Sequence, residues 1–189
     1  MQIERLNEKD YASIPMRIEG ESVYRLIKPG PLTFSLKKET TEEFGYDVND
    51  EEPGAWKKFI SMRNFRMVGI RYDDQVVAAM SLVHDNTTVR MLEGRKDVLL
   101  IWDLRVHPDH KRKGYGKALI EYARKEAKSL GVNHLRLETQ NTNPNAIEFY
   151  LAVGFELAHI REHAYSKDSV QDAGIENEVM LVFNEVIVD

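Results

Sequence analysis

The spacing of hydrophobic residues changes several times along the chain, and each change marks an element. DVLLIWDLRV, ending at Val106, is apolar almost without a break, as a central strand buried on both faces should be. Upstream, FRMVGIRYDDQVVAAMSLVHD carries apolar runs on both sides of Asp73-Asp74, which predicts a hairpin turning at that pair. Downstream, Ala118, Leu119, Tyr122, Ala123, Ala127 and Leu130 recur mostly at spacings of three and four. This predicts a helix from Gly114 to Leu130, closed by Gly131. VNHLRLETQ alternates, with Leu135 and Leu137 to one side and Arg136 and Glu138 to the other, as in a strand. NPNAIEFYLAV predicts a helix with Asn143 as N-cap, Pro144 in the first position and Gly154 past the end. FELAHIREHAYS and ENEVMLVFNEVI predict two final strands, antiparallel neighbours.

The first third is less periodic. A short strand is expected at 2–6 and a broken helix in EKDYASIPMRI, limited by Pro15. Gly20, Pro29-Gly30-Pro31, Gly45 and Pro53 punctuate 20–53, which reads as mostly loop and short helix. PGAWKKFISM suggests a helix and TTVRMLE another strand. The sequence of elements predicts an α/β or α+β domain with one right-handed crossover, without internal repeat or linker.

The length of 189 residues suits one large domain. There is no cysteine, so disulfides, a thiol nucleophile and zinc–thiolate sites are excluded. No apolar run reaches membrane length, and MQIERLNEKDY lacks the features of a signal peptide, so a cytoplasmic protein without a membrane partner is expected. A net charge of −5 argues against a nucleic-acid partner. The charge is uneven. Glu42, Glu43, Asp47, Asp50, Glu51 and Glu52 crowd one segment, while Lys111, Arg112 and Lys113 form a basic run. The acidic segment could draw in a cationic ligand or could be a solvated loop. Tyr24, Phe34, Phe44, Tyr46 and Trp56 could wall a cation or form local core.

The stretch VHPDHKRKGYGK joins a strand to a helix. A helix N-terminus offers unpaired N–H groups and partial positive charge, and glycines let an anion come close. These are the ingredients of a phosphate site. A tight turn with a solvated basic face would use the same residues. The spacing matches neither the Walker sequence nor the dinucleotide fingerprint. His107 and His110 read as solvated loop histidines. His134, His159 and His163 form no recognisable metal set, so no metal is expected.

Val106, Pro108, Gly114 and Gly116, with Lys111 where Arg or Gln is usual, resemble the phosphate loop of the GNAT superfamily of N-acetyltransferases. Asn143, Ala146, Phe149, Tyr150, Gly154 and Phe155 resemble that superfamily's later motif. The resemblance covers roughly 65–165. LRLETQNTNPNAIEFYLAVGF and HIREHAYSK look most like the streptothricin acetyltransferases within it. It implies a GNAT-like mixed, mostly antiparallel sheet flanked by helices, with a splayed central strand pair holding CoA. The chain would be a single N-acetyltransferase domain: 1–64 on the acceptor side, 65–165 binding acetyl-CoA, and 166–189 supplying the C-terminal strand. The last two strands could pair between subunits of a homodimer.

The implied reaction is acetyl transfer from acetyl-CoA to a primary amine of a small cationic substrate, such as the β-lysine part of streptothricin in antibiotic resistance; a protein, peptide or polyamine N-acetyltransferase and a catalytically silent CoA-binding regulator are the alternatives. The implied cofactor residues are Leu104 and Val106 for the pantetheine arm, Lys111, Arg112, Lys113, Gly114, Tyr115, Gly116 and Lys117 for the pyrophosphate, and Asn143 and Ala146. Tyr150, which helix periodicity alone would make a core residue, becomes the general acid toward the thiolate. A lysine-type amine, with a pKa of about 10.4, must lose a proton, and Asp103 and Glu138 are the candidate bases or ammonium holders. Glu42, Glu43, Asp47, Asp50 and Trp102 are the expected acceptor-side residues, Trp102 standing where some members carry an acid.

Overall fold

The computed structural model describes residues 1–48, 53–164 and 178–188. The chain forms two compact units. The first comprises Met1–Met16, Asn49–Leu137 and Asn184–Asp189, and the second Arg17–Val48 and Glu138–Phe183. Nine strands are present among the described residues.

In the first unit, β1 (Glu4–Arg5) lies beside β4 (Phe65–Tyr72), then β5 (Gln75–Val83), β6 (Val98–Val106) and the first part of β7 (His134–Gln140). The β4–β5 hairpin turns at Asp73 (φ 46°) and Asp74 (φ 63°). Both values are positive, as a two-residue primed turn requires, and the short polar side chains of aspartate tolerate them. From Val76 to Val83 every residue of β5 is buried, so this is a strand covered on both faces. β6 pairs antiparallel with β5, and its register slips between Ser81↔Asp103 and Leu82↔Ile101. Trp102 is the extra residue, a β-bulge that re-aims its side chain. On its other edge β6 pairs parallel with β7 over Val98–Leu100, while the strand itself runs on to Val106.

Helix α3 (Tyr115–Leu130) connects β6 to β7. It turns Leu119, Ile120, Ala123 and Ala127 inward. Gly131 ends it at φ 66°, where the Val132 N–H reaches back to the Ala127 carbonyl at 3.0 Å, a Schellman-type closure. Arg136 sits where the alternation put a polar face, yet it is 2% exposed. Its guanidinium donates to Met91 O, Glu93 Oε2 and Asn184 Oδ1, which is what allows the charge to be buried. Helix α1 (Glu8–Ala12) is capped by the Asn7 side chain.

Three local expectations fail here. TTVRMLE is not a strand. Arg90–Leu92 makes a single 3₁₀ turn, with Met91 and Leu92 both buried, and Glu93 (φ 53°) and Gly94 (φ 73°) bend the chain away. The helix α2 covers only Pro53–Trp56, and its backbone then relaxes into turns at Phe59 and Ile60. The segment 20–53, read as mostly loop, is largely a long hairpin.

That hairpin belongs to the second unit. β2 (Arg17–Gly30) and β3 (Thr33–Asp47) pair antiparallel, with Arg17 opposite Asp47 and Gly30 opposite Thr33. Pro29-Gly30-Pro31 is the tip, while Gly20 and Gly45 lie inside the strands. A side chain at Gly20 would press on Pro144, and one at Gly45 on Arg17. β3 is mostly exposed, so apolar alternation could not reveal it. Between Gly20 and Ser22 the register slips, leaving Thr41–Glu43 as a bulge opposite Glu21. Helix α4 (Pro144–Ala152) starts at Asn143, whose side chain accepts from the Ala146 N–H at 3.2 Å. Pro144 packs near Gly20, and Asn145 donates to the Glu19 carbonyl at 3.0 Å. Asn141 exchanges hydrogen bonds with Tyr24 and with Val179, so one buried amide ties β2 and β9 (Val179–Val186) to the end of β7. β8 (Glu156–Glu162) neighbours β9, as the two final strands predict.

A Cβ at Gly69 would lie 2.6 Å from the Ala78 carbonyl and would also meet the Leu6 side chain. Gly69→Ala is therefore expected to cost about 1–3 kcal/mol, read as a lower denaturant midpoint at unchanged slope.

Candidate active site

The strand-to-helix loop of the first unit is built by backbone constraints. The His107 N–H donates to Val77 O at 2.9 Å, which fixes where β6 ends. Pro108–His110 forms a 3₁₀ turn, and the Lys111 N–H closes it on the Pro108 carbonyl at 3.2 Å. Arg112 then takes φ 61° and Gly114 takes φ 85°, and α3 begins. Gly114 is the N-cap and supplies no side-chain acceptor, so the first N–H groups of a 16-residue helix point outward without an intrahelical partner. A Cβ added at Gly114 would meet nothing within 4 Å. The loop is thus open in front of its amides, with Lys111, Arg112, Lys113 and Lys117 exposed around it. Tyr115 and Gly116, in the first turn, are half-buried. An anion fits this donor set.

On β6, Leu104 and Val106 are half-buried. At the bulge, Trp102 packs edge-on against Trp56 and Phe65, each 6.2 Å away between ring centres. Asp103 is 5% exposed. Its Oδ2 accepts from Tyr11 Oη at 2.9 Å and from Arg105 Nε at 2.6 Å, and Arg105 also donates to the Ile14 carbonyl at 3.1 Å. Burial, reinforced by the Asp103 charge, pushes the Tyr11 phenol well above its usual range, so it remains a donor. The carboxylate of Asp103 is therefore engaged by a buried cation and a phenol.

The second unit holds the other candidates. Glu138 on β7 is half-buried, and its Oε2 is enclosed without a hydrogen-bond partner. Burial pushes its carboxyl up to about 7, against a smaller opposing pull from Arg161. A carboxyl poised there can both take and release a proton near neutrality. Tyr150 is 8% exposed and packs among Phe149, Phe155 and Phe183 at 5.6–6.1 Å. Asn143 and Ala146 spend one hydrogen bond on each other at the cap.

The acidic segment divides. Glu42 and Glu43 are exposed in the β3 bulge, and Asp47, also exposed, is paired with Arg17 at 3.1 Å. These three stand on a strand and its bulge, not on a solvated loop. Asp50, with Glu51 and Glu52, falls outside the described residues. Of the aromatic residues near it, Tyr46 bonds with Thr142 Oγ1 at 3.0 Å and donates to Glu178 Oε1 at 3.2 Å. Burial holds its phenol up at about 12, and burial also raises the Glu178 carboxyl. Glu178 carried no sequence signal, because it meets Tyr46 and Thr142 only through the strand order. Among the described residues no group of three or more His, Cys, Asp or Glu could hold a metal ion. No helix among them is long and apolar enough to cross a membrane.

The acetyltransferase (GNAT) family profile matches residues 33–155. An uncharacterized N-acetyltransferase of Bacillus pumilus is 38% identical over 94 residues, 49% of this chain and 54% of that protein. The [ribosomal protein bS18]-alanine N-acetyltransferase of Escherichia coli K12 is 37% identical over 78 residues, 41% of this chain and 53% of that protein. The streptothricin acetyltransferase of Streptomyces lavendulae is 32% identical over 117 residues, 62% of this chain and 57% of that protein. The chain thus spans about half the length of the curated relatives it matches. The crystal structure of a nourseothricin acetyltransferase superposes with a TM-score of 0.78 at 19% identity, over 99% of this chain and 98% of the other. A Bacillus anthracis str. Ames protein solved with acetyl coenzyme A superposes at 0.71 and 20% identity, over 98% of each chain. The mixed, mostly antiparallel sheet with flanking helices is the fold of these neighbours, and this chain belongs to the acetyltransferase (GNAT) family.

Proposed function

We propose that the chain acts as one acetyltransferase domain that moves an acetyl group from acetyl-CoA to a primary amine of a small cationic substrate. The observation that carries this reading is the loop before α3, with left-handed Arg112 and Gly114, outward amides, open space and a basic rim. Acetyl-CoA supplies an acetyl thioester whose acyl group an amine can take. Amides from Arg112 to Lys117 bind the pyrophosphate, and Leu104 and Val106 line the pantetheine arm. Asn143 and Ala146 contribute at the start of α4.

Glu138 takes the proton from the ammonium. It is a better base than Asp103, whose carboxylate already pairs with Arg105. Tyr150 donates a proton or a hydrogen bond as sulfur departs, since a phenol of pKa about 10 can serve a thiolate of about 8.5. Glu42, Glu43, Asp47 and Asp50 attract the cation, and Trp102 walls its path. The amine of the β-lysine part of streptothricin is the acceptor to test first, because of the 32% identity with the Streptomyces lavendulae enzyme. Resistance to that antibiotic in the cytoplasm would be the physiological role. A protein N-terminal amine is the second acceptor class, favoured by the 37% identity with the bS18-alanine enzyme.

The test is thiol release from acetyl-CoA over a panel of streptothricin, aminoglycosides, polyamines and peptides. Release with a cationic small amine is expected. CoA binding with no release on any amine would reassign the chain as a CoA-responsive regulator.

Gly114→Val places a branched side chain in the open front of the loop. It should abolish measurable CoA titration, whereas Gly131→Ala, which imposes comparable strain at φ 66° on the far end of α3, should retain it.

For Glu138 the sign follows from its raised pKa. The base must be ionised to accept a proton, so kcat should fall about tenfold per pH unit below about 7. Glu138→Gln should remove that break and lower kcat about 10²–10⁴-fold. A wild-type profile flat from pH 6 to 8 with chemistry limiting would remove Glu138 from the role. Tyr150→Phe should leave CoA titration intact while lowering kcat by a similar order.

A further inference from the structure

Tyr46, Thr142 and Glu178 meet in the second unit, and the reaction above uses none of them. They come from β3, from the turn between β7 and α4, and from the residue before β9. Glu178 Oε1 accepts from Thr142 Oγ1 at 2.8 Å and from Tyr46 Oη at 3.2 Å, and the two hydroxyl oxygens lie 3.0 Å apart. Thr142 is fully buried, while Tyr46 and Glu178 are half-buried. Burial holds the Tyr46 phenol up at about 12, so it stays protonated and donates. Oε1 is taken by two donors, which leaves Oε2 for a ligand.

The carboxyl calls for a cation. Burial raises it, and among the described residues the pull against that rise comes from the two hydroxyls. Arg17 and Asp47 lie next to Tyr46 in the hairpin register, but successive strand residues face opposite ways, so that ion pair does not share its side. A guanidinium binds a carboxylate best through both oxygens in parallel, and here one oxygen already takes two hydroxyls. An ammonium is a point charge with three donors, and it can bond Oε2 and a hydroxyl lone pair together. Two hydroxyl donors also make Glu178 a weaker base than Glu138, whose enclosed oxygen has none. It suits a nitrogen that keeps its proton.

We propose that Glu178, oriented by Tyr46 and Thr142, holds a second, non-reacting ammonium group of the acceptor, so that the chain prefers diamines to monoamines. This rests on the amine-acetyltransferase reading and narrows its substrate class.

Thiol release from acetyl-CoA is measured over α,ω-diamines from propane to octane and over the n-alkylamines of the same lengths. The wild type should show its lowest KM with a diamine. Glu178→Gln keeps the shape of the side chain, and its amide oxygen can accept both hydroxyls, so the variant should keep the wild-type Tm. The ratio of monoamine KM to diamine KM should fall about tenfold in it, the loss expected for one bond to a charged group, with CoA titration as in the wild type. Tyr46→Phe should lower that ratio by a smaller factor. A wild type that turns over no diamine or shows no preference for one, or an unchanged ratio in folded Glu178→Gln, overturns the ammonium role and leaves the acetyltransferase reading standing. So does an equally low KM for the analogue with a guanidine at the far end. A wild-type chain that releases no thiol with any amine, streptothricin included, overturns the acetyltransferase reading, and the ammonium role with it.

Discussion

Strand β6 is the constraint on which the first unit depends. It pairs with β7 over Val98–Leu100 and with β5 from Leu100 on to Val106. The bulge at Trp102 sets which way the following side chains face. Beyond it, Asp103 and Arg105 form a buried pair locked to α1 through Tyr11 and to the Ile14 carbonyl. Breaking such a pair by removing one partner typically costs about 3–5 kcal/mol, because the remaining charge is left buried. Arg105 also lies 5.3 Å over the Tyr11 ring. The end of β6, and with it the start of the loop before α3, is therefore held by a buried polar cluster centred on Asp103 Oδ2.

Two carboxylic acids show how environment divides one chemistry into two. Asp103 has Oδ1 enclosed without a partner, but its Oδ2 is held by Tyr11 and by the Arg105 guanidinium, so the carboxylate stays engaged in the scaffold. Glu138 has an enclosed oxygen with no donor, and burial lifts its carboxyl to about 7. The same functional group is thus a structural anchor in one unit and, in the other, a carboxyl that burial brings to titrate near neutral pH.

Much of the candidate site was legible in the sequence, because its signals are local. Gly131 at a left-handed φ, Asn143 capping α4, the Asp73-Asp74 turn and the loop from Val106 to Lys117 each depend on a few adjacent residues. Their conformations follow from steric limits that a sequence states directly. The β2–β3 hairpin was not legible, since its strands are largely polar and Gly20 and Gly45 lie inside them, where a side chain would press on Pro144 and Arg17.

The sequence by itself determined the core elements, the caps, the loop that fits an anion, and the motif pair that marks the family. Tertiary structure alone decided which charges are buried and which are available. Arg136 became core because Met91, Glu93 and Asn184, distant in the chain, converge on it. Tyr46 and Glu178 became partners across 132 residues. The physical reason is that backbone conformation is set mainly by neighbours in sequence. Solvation and pairing of a side chain depend on groups that only folding brings within a few ångströms.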